Sequence, residues 1–138
     1  MGVGRPDCYL LKLFGAHVHQ AFGHVPYHVG SSLTEKRGWR DVDVRLLLPD
    51  DEYATYFGDW ALPPEPGYGG PRRIMWELAW STLGRKMTGL PIDFQIQPET
   101  LANEQFDGPR SALRLLSSDI PVALDSHAPR EKRKDADG

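Results

Sequence analysis

The sequence predicts a mixed α/β (α+β) domain: a small mixed β-sheet with helices packed on one face and an acidic face left open. Three observations carry this expectation. In DVDVRLLL, residues 41–48, aspartates alternate with apolar residues. Side chains two apart in a strand share a face, so Val42, Val44, Leu46 and Leu48 turn to a core while Asp41 and Asp43 turn away from it. In PIDFQIQ, residues 91–97, Ile92, Phe94 and Ile96 alternate with Asp93, Gln95 and Gln97 in the same way. Between the two lies residues 72–88, a stretch of helical periodicity that serves as the crossover joining the strands. If the strands are neighbours with their apolar faces together, Asp41, Asp43 and Asp93 share one open face.

The other elements follow in chain order. Residues 7–22 read as a first helix, with Leu10, Leu11, Phe14 and Val18 at helical spacing, Asp7 as N-cap and Gly23 as the stop. Residues 25–29 form a short strand with Val25, Tyr27 and Val29 on its apolar face and His28 opposite, toward the polar side. Gly30 and Ser31 make a turn. Ser32-Leu33-Thr34-Glu35 has the form of a capping box, in which Ser32 caps a short helix and Glu35 reaches back. A glycine before a helix start is suited to cradle a phosphate. It is also an ordinary strand–turn–helix junction.

Lys36-Arg37-Gly38-Trp39-Arg40 is a basic loop, read either as a phosphate or acceptor contact or as a solvated loop. Arg45, on the polar face, either pairs with an aspartate and holds it ionised or reaches a phosphate. Residues 49–58 begin a short helix with acids in its first turn, which suits the helix dipole. Residues 61–71 are a Pro/Gly-rich connector or lid. In the crossover helix Trp76, Trp80, Leu83 and Met87 form one apolar stripe for the core, and Gly89 ends it. A helix over 99–106 follows, then an irregular GPRSALRLL. Asn103 and Arg110 are polar groups for which the sequence gives no geometry. Residues 1–124 form one domain, and 125–138 are a charged tail with little to bury, expected to be disordered.

The chain has 138 residues, 40% of them apolar, and four Trp, enough for one domain with a sizeable core. Its formal charge is -3, from 16 basic and 19 acidic residues, which argues against a dominant nucleic-acid surface. The single cysteine, Cys8, excludes an intramolecular disulfide and a cysteine zinc cluster, and fits a reducing cytoplasm. No apolar run reaches membrane-spanning length, and the N-terminus lacks the shape of a signal peptide. His17, His19, His24 and His28 lie close in sequence, but at no zinc-binding spacing.

Two carboxylates side by side raise each other's pKa unless a positive charge sits between them. A divalent cation held by oxygen ligands is the usual charge. A bare Asp-x-Asp also suits a solvated edge strand; here a Gly-Ser turn precedes it and a third carboxylate follows. Gly30-Ser31, nine residues, Asp41-Val42-Asp43-Val44 and then Ile92-Asp93-Phe94 resembles the signature of the polymerase-beta-like nucleotidyltransferase superfamily, most of all its minimal stand-alone members from bacteria and phages. The resemblance spans residues 25–97.

That resemblance implies transfer of a nucleoside monophosphate from a nucleoside triphosphate, ATP among them, to an acceptor hydroxyl. It implies that Gly30, Ser31 and Ser32 hold the nucleotide's terminal phosphates. Asp41 and Asp43 would bind two Mg2+ (or Mn2+) ions, and Asp93 the ion that activates the acceptor oxygen, whose proton it takes. The acidic balance favours a small molecule or a protein over RNA as acceptor. Larger members carry a second domain, so this short chain implies a homo-oligomer or a partner for full grip, or weak nucleotide selectivity. The alternative is an antitoxin-like or scaffold protein of the same fold that acts by binding a small helical partner. Neither reading involves a membrane.

Overall fold

In the computed structural model, residues 5–35, 38, 40–58 and 70–115 are described. The expectations for Lys36, Arg37 and Trp39, for most of the Pro/Gly-rich connector and for the charged tail fall outside this set. The elements are α1 (Arg5–Phe22), β1 (Tyr27–Val29), α2 (Ser31–Thr34), β2 (Val42–Leu48), α3 (Asp50–Phe57), α4 (Gly70–Thr88), β3 (Ile92–Pro98), α5 (Glu99–Gln105) and β4 (Arg110–Ala112). The expected α/β class is what forms.

Alternation decides the sheet. Val42, Val44, Leu46 and Leu48 are fully buried, and Ile92, Phe94 and Ile96 nearly so. The intervening residues of β2 and β3 remain partly exposed. The strand order is β3-β2-β1-β4. β2 and β3 run parallel and α4 connects them, because two parallel strands need a crossover rather than a hairpin. β1 is antiparallel to both its neighbours. Leu11, Phe14 and Val18 of α1, Tyr53 of α3 and the half-buried Trp76 and Trp80 of α4 cover the apolar face. Phe14, Trp80 and Phe94 meet ring to ring, with centroids 6.0–6.2 Å apart.

β3 is an edge strand, and α4 closes its free edge. Glu77 accepts the Ile96 N–H at 2.8 Å, Ser81 Oγ accepts the Phe94 N–H at 2.9 Å, and Arg85 Nε donates to the Ile92 carbonyl at 3.1 Å. Four helical residues advance about 6 Å and two strand residues about 6.6 Å. A helix lying antiparallel to the strand therefore matches every second strand residue with every fourth of its own. Arg73 continues the row and holds Glu77 at 2.6 Å. Burial still pushes the Glu77 carboxyl up, against the Ile96 N–H and Arg73.

This edge contact alters the expected stripe on α4. Trp76, Trp80 and Met87 pack against the core as expected, but Leu83 is 40% exposed. The buried positions are Arg73, Ser81, Gly84 and Thr88; Ser81 bonds the strand, and Gly84 lies against Ile92 and Phe14. Ile74, Met75 and Leu78 point outward.

Three other expectations change. β1 is shorter, and its faces are reversed: Tyr27 and Val29 pair with Arg45 and Asp43, so they lie on the carboxylate face, while His28 pairs with Val44 and is fully buried. Pairing with β2 sets the register here, and three residues of β1 alone do not. The capping box does not form. α2 begins at Ser31 behind Gly30, has no side-chain cap, and Glu35 sits at its C-terminal end. Finally, part of GPRSALRLL is a strand, β4, whose continuation is anchored by the Leu113 N–H on the Pro26 carbonyl at 2.9 Å. No helix among the described residues is long and apolar enough to cross a membrane.

Candidate functional site: a carboxylate pair on the open face

The parallel register of β2 and β3 sets Asp43 directly beside Asp93. Both side chains leave the sheet on the face opposite the core. Burial pushes the Asp43 carboxyl above the usual carboxylate range; Arg45 opposes this, and Asp93 and Asp41 add to it. Asp43 and Asp93 approach closely enough to share a hydrogen bond, which raises Asp43 further.

Arg45 lies 3.8 Å from Asp43. It also reaches the Asp93 carbonyl at 3.4 Å. It therefore stands beside the pair without forming a tight bidentate contact, and burial outweighs its charge at Asp43. Asp41 lies one residue before β2 and is exposed. It acts on Asp43 through its charge and sits at the rim of the site. Among the described residues no three His, Cys, Asp or Glu side chains converge as a ready-made metal cage.

Gly30 forms the wall beside Asp43. Its φ is 82°, and a Cβ there would strike the Asp43 carboxylate. Two constraints therefore demand glycine at one position: left-handed backbone and close approach of a carboxylate. Ser31 follows, exposed. Ser32 turns inward, fully buried, and bonds His28 Nε2 through its Oγ at 2.7 Å.

His28 Nδ1 is buried with no hydrogen-bond partner among the described residues. An orphaned N–H donor is rarer in proteins than an under-satisfied acceptor. The neutral ring is thus assigned the Nε2–H tautomer, donating to Ser32 Oγ. Burial lowers the His28 pKa from 6.5 to about 4, so the ring is neutral at pH 7. The site that sequence reasoning gave to Ser32 as a helix cap is in fact a latch between β1 and the Gly30 turn.

Beyond Asp43 the open face dips into a pocket of about 230 Å³. Tyr27 and Val29 of β1 and Arg45 and Leu47 of β2 form its floor, and Phe106 and Arg110 its far wall. α5 leans on this end of the face through Ala102, 2% exposed. Arg110, left without geometry by the sequence, comes back to the site: Val29 pairs with Asp43 on one side and with Arg110 on the other. The sequence carried no signal for the His28–Ser32 contact or for Phe106.

Compared with known proteins, the chain matches no family model, no curated protein and no solved structure at a significant level.

Proposed function

We propose that the chain is a metal-dependent nucleotidyltransferase that moves a nucleoside monophosphate from a nucleoside triphosphate to an acceptor hydroxyl. The contact between Asp43 and Asp93 is the observation that supports this most directly. A carboxylate raised by burial, as Asp43 is, with a second one beside it costs stability at neutral pH, and a divalent cation relieves that cost. The all-oxygen donor set suits Mg2+ or Mn2+. Asp43 and Asp93 would hold such a cation, with Asp41 at the rim for a second. When bound, the ions neutralise charge on the attacking and leaving oxygens.

The chain's own groups supply the rest. Gly30, having no side chain, lets the Asp43 carboxylate close against the turn, and Ser31 presents its hydroxyl at the same turn for a phosphate. The Ser32–His28 latch holds that turn in place. Arg45, loosely bound to Asp43, is a cation free to swing to a phosphate. Asp93 takes the acceptor hydroxyl's proton. The acceptor oxygen then bonds to the α-phosphorus as the bond to pyrophosphate breaks. Positioning and charge neutralisation account for most of such a rate gain. The rival reading, an antitoxin-like or scaffold protein acting through a helical partner, has no use for the carboxylate pair.

Calorimetric titration with ATP, GTP, CTP and UTP, with and without Mg2+ or Mn2+, tests the reading. The expected result is metal-dependent binding of at least one triphosphate, weakened roughly 100-fold or more in Asp43→Asn. The same variant should be more stable than wild type without metal at pH 7, by up to about 1 kcal/mol, since one buried charge and its repulsion are gone. Folded wild-type protein that binds no triphosphate with either metal would overturn the proposal. So would an Asp43→Asn protein that binds as wild type does.

A further inference from the structure

A second cleft, of about 460 Å³, opens beside the first and shares Tyr27, Leu47 and Arg110 with it. The rest of its lining includes His19, His24, Asn103, Arg114 and one acid, Glu99. Gly30 and Asp43 line the first pocket only. The open face is therefore a single groove, with the carboxylates at one end and a polar, arginine-bearing cleft at the other.

Arg110 stands at the junction, and it is held unusually. Its Nη1 donates to Asn103 Oδ1 and its Nη2 to the Phe106 carbonyl, each at 3.0 Å. The guanidinium lies over the Phe106 ring, 5.7 Å from the centroid. All three partners are neutral. Arg45 and Arg73, by contrast, face carboxylates at 3.8 and 2.6 Å. An arginine fixed by neutral groups has lost rotamer freedom yet kept its full charge, which is how a protein presents a cation to an anion. Arg114, four residues on and exposed, adds a second guanidinium to the same cleft.

The geometry points to this second cleft as the acceptor site, and to an acceptor that carries an anionic group, a phosphate or a carboxylate, as well as the hydroxyl. The inference rests on the nucleotidyltransferase reading of the carboxylate end. Size sets the acceptor's class. Arg110 and Asp43 are two strands apart in one register row, roughly 10 Å. An anion at Arg110 and a hydroxyl near Asp43 and Asp93 thus belong to one small molecule. The cleft volume falls in the small-ligand range, and the net charge of -3 disfavours a polyanion.

The test measures binding without metal or nucleotide, so that it stands apart from the proposed activity. Glycerol 3-phosphate, glycerate and glycerol are titrated by NMR into wild type, Arg110→Gln and Arg114→Gln, each first checked for folding by circular dichroism. One or both anionic probes should bind and glycerol should not; the stronger of the two identifies phosphate or carboxylate. Arg110→Gln should weaken binding about tenfold or more, the usual loss for a charged hydrogen bond. Arg114→Gln should weaken it as well, and serves if the first variant does not fold. Binding should persist when ATP and Mg2+ are present.

The inference is overturned by no binding of either anionic probe, by binding unchanged in both variants, or by displacement with ATP and Mg2+. The last would assign Arg110 to the triphosphate instead. Binding confined to a short oligoribonucleotide, with steep salt dependence, would also overturn it in favour of an RNA end. Failure here with metal-dependent triphosphate binding intact would leave the proposed function standing. Probe binding without triphosphate binding would do the reverse.

Discussion

At the scale of single residues, the site depends on what is missing at Gly30 and what is hidden at His28. Gly30 meets two demands at once, a φ of 82° and contact with Asp43. Gly30→Ala should therefore destabilise the protein by about 1–3 kcal/mol through backbone strain, and more if the Asp43 carboxylate has nowhere to move. It should also abolish metal-dependent triphosphate binding. Thermal denaturation and calorimetry check both parts, and an alanine variant of wild-type stability would contradict the geometry. Sequence reasoning picked out Gly30 and Asp43 separately. Their contact joins residues thirteen apart in the chain, and only the antiparallel pairing of β1 with β2 creates it.

At the scale of elements, α4 is both the crossover and the cover of the β3 edge. Unpaired strand edges invite association with other chains, and proteins commonly hide them. Here the cover is made of hydrogen bonds from Glu77, Ser81 and Arg85 to backbone. Ser81→Ala should leave the buried Phe94 N–H without its acceptor and cost about 1–3 kcal/mol in urea denaturation. Ser81→Thr, which keeps the hydroxyl, should cost less. The length and placement of α4 were legible from its periodicity and from Gly89. Its orientation was not, because polar Glu77 and Ser81 read as solvent positions until a strand edge is placed beside them. β4 was missed for a related reason: three residues, Arg110–Ala112, carry too little alternation to register, and their strand form comes from pairing with β1.

At the scale of the whole molecule, buried ionisable groups make stability depend on pH in two opposing ways. His28 has a pKa lowered to about 4 by burial. Its contribution is complete above pH 6.5, where the unfolded chain is also neutral, and is lost as the pH falls toward 4. Asp43 and Glu77 are raised by burial. Their contribution is greatest below the ordinary carboxylate range and is lost as the pH rises through their folded values. In metal-free protein the difference in unfolding free energy between wild type and His28→Gln should thus shrink or reverse on going from pH 7 to pH 4.5, by about 2–3 kcal/mol. Urea denaturation of both proteins at the two pH values measures it. A difference that does not change with pH would show that His28 is not held neutral by the fold.

The sequence by itself determined the fold class, the two carboxylate-bearing strands, the crossover helix and the placing of Asp43 and Asp93 on the face away from the core. Strict alternation fixes these, because a one-residue slip would put every aspartate into the core. Tertiary structure alone decided the parallel register that sets Asp43 against Asp93, the turning of His28 inward onto Ser32, and the return of Arg110 and Phe106 to the far end of the groove. Each of these joins residues from different elements. The physical reason is that local pattern specifies which way a side chain leaves its own backbone, whereas strand pairing and helix docking specify which side chains then meet.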